Sequence, residues 1–282
     1  MIEQSKNPLS GYFRQPAIYL KIPSLGRWWT DGSIDLPSNQ EIPIYPMTAR
    51  DEVAIRTPDA LLNGQAVVDV IQSCCPNIKN AWHMPSVDTD AILISIRIAT
   101  YGNRMEIKSK CSHCNTDNDH EVDLGNTLSS ITCPEFDQIT HYEDLKIKLK
   151  PQNYRSINKA AMITYEEQKL LGYLADEKMS DEEKLAEISK NMKRIADLGF
   201  DNLINCTEYI ELPNGQRVTD PEYLIEFFNH AKNDLVTTIQ TFLSKILEEH
   251  KIRPVELQCN NCNQQYSAEL NFDFSNFFVK GF

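Results

Sequence analysis

Cys111-Ser112-His113-Cys114 and Cys259-Asn260-Asn261-Cys262 are the two stretches that decide how this chain folds. A tight turn with two cysteines three positions apart presents both sulfurs on one side of the backbone. Two such turns fill the four corners of a tetrahedron, each sulfur about 2.3 Å from a zinc ion. Each pair sits between segments that read as strands. Arg104 to Lys110 and His120 to Leu124 flank the first. A strand from Val255 enters the second, and Gln265 to Phe274 leaves it with Tyr266, Ala268, Leu270, Phe272 and Phe274 alternating at the period of two of a half-buried strand.

Residues 115–258 separate the two turns, far more than the roughly 15–20 residues usual between zinc knuckles. An inserted block with its own fold makes that distance tolerable, because closure entropy grows only with the logarithm of length. The competing readings are disulfides and thiol redox chemistry. A redox Cys-x-x-Cys belongs at the start of a helix, where the dipole lowers a thiol pKa, and neither pair precedes a credible helix. The expectation is one structural Zn2+ held by Cys111, Cys114, Cys259 and Cys262. Four sulfur ligands leave no open position for water or substrate. His113 would enter the shell only in place of a missing cysteine, and Cys74, Cys75, Cys133 and Cys206 have no ligand spacing and read as buried thiols.

Composition sets the remaining bounds. A chain of 282 residues, 41% hydrophobic, can bury a substantial core. A net charge of −12 without a run of Lys and Arg speaks against a nucleic-acid backbone as partner. There is no apolar run of the roughly 20 residues that cross a bilayer, and residues 1–10 lack a basic cluster followed by an apolar stretch. The expected setting is cytosol-like, without a membrane partner, where paired cysteines more often bind metal than each other.

Three regions follow. Residues 1–46 form an extended arm rich in Pro and aromatic side chains, with short strands at Ala17 to Ile22 and Glu41 to Tyr45. Residues 47–124 together with 251–282 form an α+β core around the knuckles, and 125–250 form a large, mostly helical insertion. In the core, Thr48 with Asp51 makes a capping box, Thr57-Pro58-Asp59 a second helix start, and Gln65 to Ser73 a helix ended by Pro76. Ala91 to Tyr101 fits strand and helix alike and is assigned to helix, with Asp88 as N-cap and Gly102 as stop. In the insertion, Ser156 to Leu174 and Asp181 to Leu198 make a helical pair closed by Gly199. Asp220-Pro221-Glu222 opens a single helix to about His250, roughly 45 Å long.

Catalytic signatures are missing: there is no G-x-S-x-G elbow, P-loop, dinucleotide turn or H-E-x-x-H pair. The chain reads as a non-enzyme. Trp28-Trp29 is the other unusual feature, since adjacent indoles on an extended chain point different ways, one to the core and one able to anchor a partner.

Ile22-Pro-Ser-Leu-Gly-Arg27, Ile44-Tyr-Pro-Met-Thr-Ala-Arg-Asp-Glu52 and Ile94-Ser-Ile-Arg-Ile-Ala-Thr-Tyr-Gly102, in that order before the first knuckle, resemble the baseplate hub and hub-assembly proteins of T-even-like contractile-tailed bacteriophages. The resemblance implies a structural or assembly role in the tail baseplate, in the virion or in the host cytoplasm during assembly, with other phage tail proteins as partners. The competing class is a zinc-ribbon nucleic-acid-binding or transcription factor, which would need a basic face. The knuckle region instead mixes Asp117, Asp119 and Glu121 with Lys108 and Lys110.

Overall fold

The computed structural model describes residues 7–57, 64–174, 180–249, 251–270 and 277–278. The architecture is α+β, with three clusters of buried side chains.

The first cluster is built on strands β1 (Ile18–Lys21) and β2 (Glu41–Ile44), antiparallel with Leu20 opposite Ile42. Helices α1 (Ala49–Ile55), α2 (Gln65–Cys74) and α3 (Ser86–Tyr101) pack around them. Thr48 and Asp51 close the expected capping box on α1. Arg14 pins the chain start to this unit, donating to the Pro46 and Ser73 carbonyls at 2.6 Å each. Ala91 to Ile96 are buried on every side of α3. That explains its ambiguous pattern, because a helix enclosed all round needs no polar stripe. Pro85 occupies the N-cap of α3, so Asp88 lies in the first turn and not at the cap as expected. The predicted helix start at Thr57-Pro58-Asp59 falls largely outside the described residues.

Asp88 has a different task. Its carboxylate accepts from the Ser24 amide (2.7 Å), the Ser24 hydroxyl (2.5 Å) and the Trp29 indole (2.8 Å). These bonds hold a loop in which Leu25, Gly26 and Trp28 all have positive φ, a conformation that persists in bulky residues only when its surroundings over-determine it.

After α3, strands β3 (Arg104–Lys110) and β4 (Asp117–Asp123) form the first ribbon, followed by the short helix α4 (Leu124–Ser130). Strands β5 (Ile139–Tyr142), β6 (Leu145–Leu149), β7 (Thr207–Glu211) and β8 (Arg217–Val218) then make a four-stranded antiparallel sheet in sequential order. This sheet lies inside the block expected to be mostly helical. Between β6 and β7 run α5 (Tyr154–Leu174) and α6 (Asp181–Cys206). Gly199 does not end α6, contrary to expectation. A helical Gly costs about 1 kcal/mol, and burial of Leu203 and Cys206 beyond it offsets that cost.

The single long helix expected from Pro221 is two, α7 (Pro221–Asn229) and α8 (Asn233–Glu249). The break falls where Asn229, His230, Asn233 and Asp234 cluster, residue types that compete with helical hydrogen bonding. The His230 amide turns back to the Phe227 carbonyl, and its ring meets the Glu226 carbonyl at 2.9 Å. Leu224 and Phe228 of α7 with Leu235, Ile239, Leu243 and Ile246 of α8 cover the sheet as the second cluster.

The chain returns through β9 (Val255–Gln258) and β10 (Gln265–Ala268), the second ribbon. The strand predicted to reach Phe274 stops at Ala268, and Phe272 and Phe274 lie outside the described residues. Phe277 and Phe278 are back in the first cluster, where Tyr101 donates to the Phe278 carbonyl at 3.0 Å.

Candidate metal centre

The two Cys-x-x-Cys turns are near copies of each other in detail. The amides of Cys111 and Cys259 bond to the carbonyls of Thr116 and Gln264 at 3.0 and 2.9 Å. The amides of Asn115 and Asn263 bond back to the carbonyls of Cys111 and Cys259 at 2.9 and 3.0 Å. Two residues after the first cysteine, the amides of His113 and Asn261 each point at its sulfur from 3.4 Å. Asn115 and Asn263 both sit at φ 58, the left-handed region that Asn tolerates better than other side chains with a Cβ. A Cys-x-x-Cys-Asn unit therefore occurs twice, for a conformational reason.

All four Sγ atoms lie within 4.8 Å of one another. Across the two turns, Cys111 and Cys262 are 3.7 Å apart, and Cys114 and Cys259 are 3.5 Å apart. A tetrahedron with bonds of about 2.3 Å has edges of about 3.8 Å. The donor set therefore fits a tetrahedral, thiophilic cation, and it is sulfur only.

The electrostatics point the same way. Thr116, through its hydroxyl and its backbone, draws the Cys114 thiol down to about 6, and the Cys262 and Asn261 amides lower that of Cys259. The Gln264 amide favours a thiolate at Cys262 as well, but desolvation and the thiols of Cys114, Cys259 and Cys111 outweigh it and push Cys262 up to about 12. Four sulfurs this close cannot all ionise unless a cation sits among them.

Asn118 joins the two turns. It is buried, its Oδ1 accepts from the Asn260 amide at 2.9 Å, and its Nδ2 donates to the Thr116 carbonyl at 2.9 Å while lying 3.6 Å from Cys259 Sγ. The ribbons also meet at Ser109 and Tyr266, whose hydroxyls are 2.6 Å apart. His113 is engaged with the Gln265 carbonyl at 3.2 Å. Neither Asn118 nor Thr116 stood out in the sequence. The repeated Asn115 and Asn263 signalled the shared turn but pointed to neither of these two residues.

The other candidates lie elsewhere. Cys74 and Cys206 are buried, and burial pushes each thiol up to about 12. Cys75 is buried and raised for the same reason, whereas Cys133 is half-buried. Trp29 is enclosed in the first cluster. Trp28 is half-buried against the second, edge-on to Phe136 at 5.5 Å and under the Arg27 guanidinium at 4.5 Å. An open depression of about 550 Å³ lies at the α7–α8 break. There Lys232 pairs with Glu143 at 3.2 Å and Tyr142 donates to Asp234 at 2.8 Å, so these groups satisfy one another.

Fold and site thus define an α+β protein whose middle and C-terminal ribbons converge on a four-cysteine cluster able to hold a metal ion. The model of the T4 bacteriophage base plate protein family matches residues 31–279, and the chain belongs to that family. It is a phage baseplate protein, and its family points to other phage tail proteins as partners and to the virion tail as its place. No curated protein and no solved structure matches the chain. No helix among the described residues is long and apolar enough to cross a membrane.

Proposed function

We propose that this chain is a structural component or assembly factor of the baseplate hub and acts through protein–protein contacts. In this reading the two turns form a zinc ribbon, with one structural Zn2+ on Cys111, Cys114, Cys259 and Cys262. The observation that carries it is the tetrahedral spacing of four sulfurs drawn from the two ends of a long insertion. Bound there, the ion supplies cross-linking and no chemistry, because four thiolates close its shell. The chain is accordingly not an enzyme. Residues 1–46 act as an arm laid on its own domain through β1 and β2, 47–124 with 251–282 as the stapled core, and 125–250 as the insertion that selects partners. Trp28 and Trp29 are the partner-binding pair, Trp28 through its half-buried ring and Trp29 by anchoring the loop.

Elemental analysis of the purified chain with its co-purifying proteins tests both halves. The expected result is one zinc per chain, four thiols released on chelation, and baseplate subunits in the complex. A well-folded, metal-free chain would remove the zinc. Mass spectrometry of purified virions separates the two roles, since absence from the particle leaves only the assembly factor.

A further inference from the structure

Helix α6 carries a feature that the baseplate reading does not use. Leu185, Ile188, Met192 and Ile195 are 63, 38, 67 and 48% exposed. Their spacing of three, four and three places them along one seam, the a and d positions of a heptad. Toward the end of the same helix the apolar positions are covered, with Leu203 and Cys206 buried in the second cluster. The exposed seam occupies the half of α6 that lies away from that cluster along the helix. Met162 and Tyr165 of the neighbouring helix α5 are exposed as well.

The charge along the α6 sequence is polarised. Asp181, Glu182, Glu183 and Glu187 precede the centre of the seam, with Lys184 the lone cation among them; Lys190 stands level with the centre, and Lys193 and Arg194 follow it, with Asp197 only beyond the last seam residue. A parallel, in-register copy would set acid beside acid and base beside base. An antiparallel copy sets the acidic half along the basic half. The apolar spacing has the same symmetry: a two-fold axis level with residue 190 places Leu185 opposite the copy's Ile195, and Ile188 opposite its Met192.

We infer that the α6 seam is a self-association surface, on which a second copy of this chain docks its own α6 in antiparallel orientation. Four seam residues bury less than the roughly 800 Å² per partner of a standard interface. The association is therefore weak in dilute solution and favoured where copies are held close together. This goes beyond the hub reading and does not depend on it or on the metal.

Sedimentation velocity of the full chain over a wide concentration range, with Met192→Glu and Ile188→Lys, tests the inference. Both positions are exposed, so each variant keeps the circular dichroism spectrum and melting temperature of the wild type, which is the control for folding. The wild type is expected to shift from monomer to dimer with concentration, and each variant alone to stay monomeric. An equimolar mixture of the two should dimerise again, because the antiparallel register sets the carboxylate introduced at position 192 of one copy against the ammonium introduced at position 188 of the other. A wild type that stays monomeric throughout overturns the proposal. So does a dimer indifferent to both substitutions, and so does a mixture that fails to recover.

Discussion

Replacing Cys259 by Ser tests whether the two turns share one metal ion. The substitution removes a buried sulfur that lies 3.5 Å from Cys114 Sγ and receives the Asn261 amide at 3.4 Å. Structural zinc sites of this kind are coupled to folding by about 10–16 kcal/mol in total. Losing one of four thiolates forfeits part of that. An independent bound comes from chain entropy: a cross-link from Cys111 to Cys259 closes a loop of roughly 150 residues, worth about 5 kcal/mol if it is lost entirely. A destabilisation of about 3–5 kcal/mol is expected, a large share of the 5–15 kcal/mol typical of a domain. Its reach follows from the packing. Met105, Val122 and Leu124 of the first ribbon region belong to the same cluster as Ile92, Ile94 and Ile96 of α3, and the Leu124 amide bonds to the Asn103 carbonyl at 2.8 Å, just beyond α3. Hydrogen exchange should therefore show amides across residues 47–124 opening together with β9 and β10, faster by roughly 10²- to 10⁴-fold at 1.4 kcal/mol per decade. Loosening confined to the neighbourhood of residue 259, with α3 unchanged, would refute a shared four-cysteine site.

Asn118→Ala leaves the Asn260 amide and the Thr116 carbonyl without their buried partner, a loss of about 2–4 kcal/mol. Chelator competition should show metal affinity down by roughly 10- to 100-fold, and unchanged retention would mean that Asn118 does not orient the site. Asp88→Ala strands the Ser24 amide and the Trp29 indole and should cost about 3–5 kcal/mol in chemical denaturation, with Trp fluorescence reporting release of the loop. Burial holds the Asp88 carboxyl above its ordinary range, so the native state binds that proton more tightly than the unfolded chain does. Its contribution is full below about pH 4 and is lost as pH rises through the folded value; the stability gap between wild type and Asp88→Asn should narrow as pH rises, and a widening gap would reverse the sign. Arg97 is buried, its Nε and Nη1 without a hydrogen-bond partner among the described residues, against the rings of Tyr101 and Phe277 at 4.9 and 5.9 Å. Arg97→Met should leave the melting temperature unchanged or raise it, and a marked fall would show that the guanidinium has a partner.

The cysteine turns were legible because their chemistry is local. Cys-x-x-Cys between alternating strands implies the same turn wherever it occurs, and only the distance between the two turns was unusual. Helices α1, α2 and α3 were legible for a related reason, since Thr48, Pro76 and Gly102 respectively punctuate them. The four-stranded sheet was missed although Leu145-Lys-Ile-Lys-Leu149 alternates strictly, because its partner β7 lies beyond α5 and α6 and short strands gain meaning only when paired. Pro221 to Glu249 misled in the opposite direction: the apolar spacing of three and four survives the break at His230, so periodicity alone could not show that one helix had become two. Asp88 was misplaced for want of tertiary information, since its partners Ser24 and Trp29 lie some 60 residues away.

The tryptophan pair shows how the insertion is held at its other end. Adjacent residues in a regular strand would send their side chains to opposite faces of one sheet. Positive φ at Leu25, Gly26 and Trp28 instead lets Trp29 enter the first cluster while Trp28 lies on the second, beside Phe136. Val87, one residue before Asp88, also packs on the second cluster. The carboxylate that fixes the loop thus stands next to the contact between the two units. The chain leaves the first cluster near residue 131, touches it again at Tyr154, whose amide bonds to the Met84 carbonyl at 2.8 Å, and returns near 252, so the insertion is tied at three places. The cysteine turns hold the return, and the loop fixed by Asp88 holds the departure. Loss of either should therefore loosen its own end of the insertion, with Tyr154 still seated in the first cluster and the second cluster folded within itself.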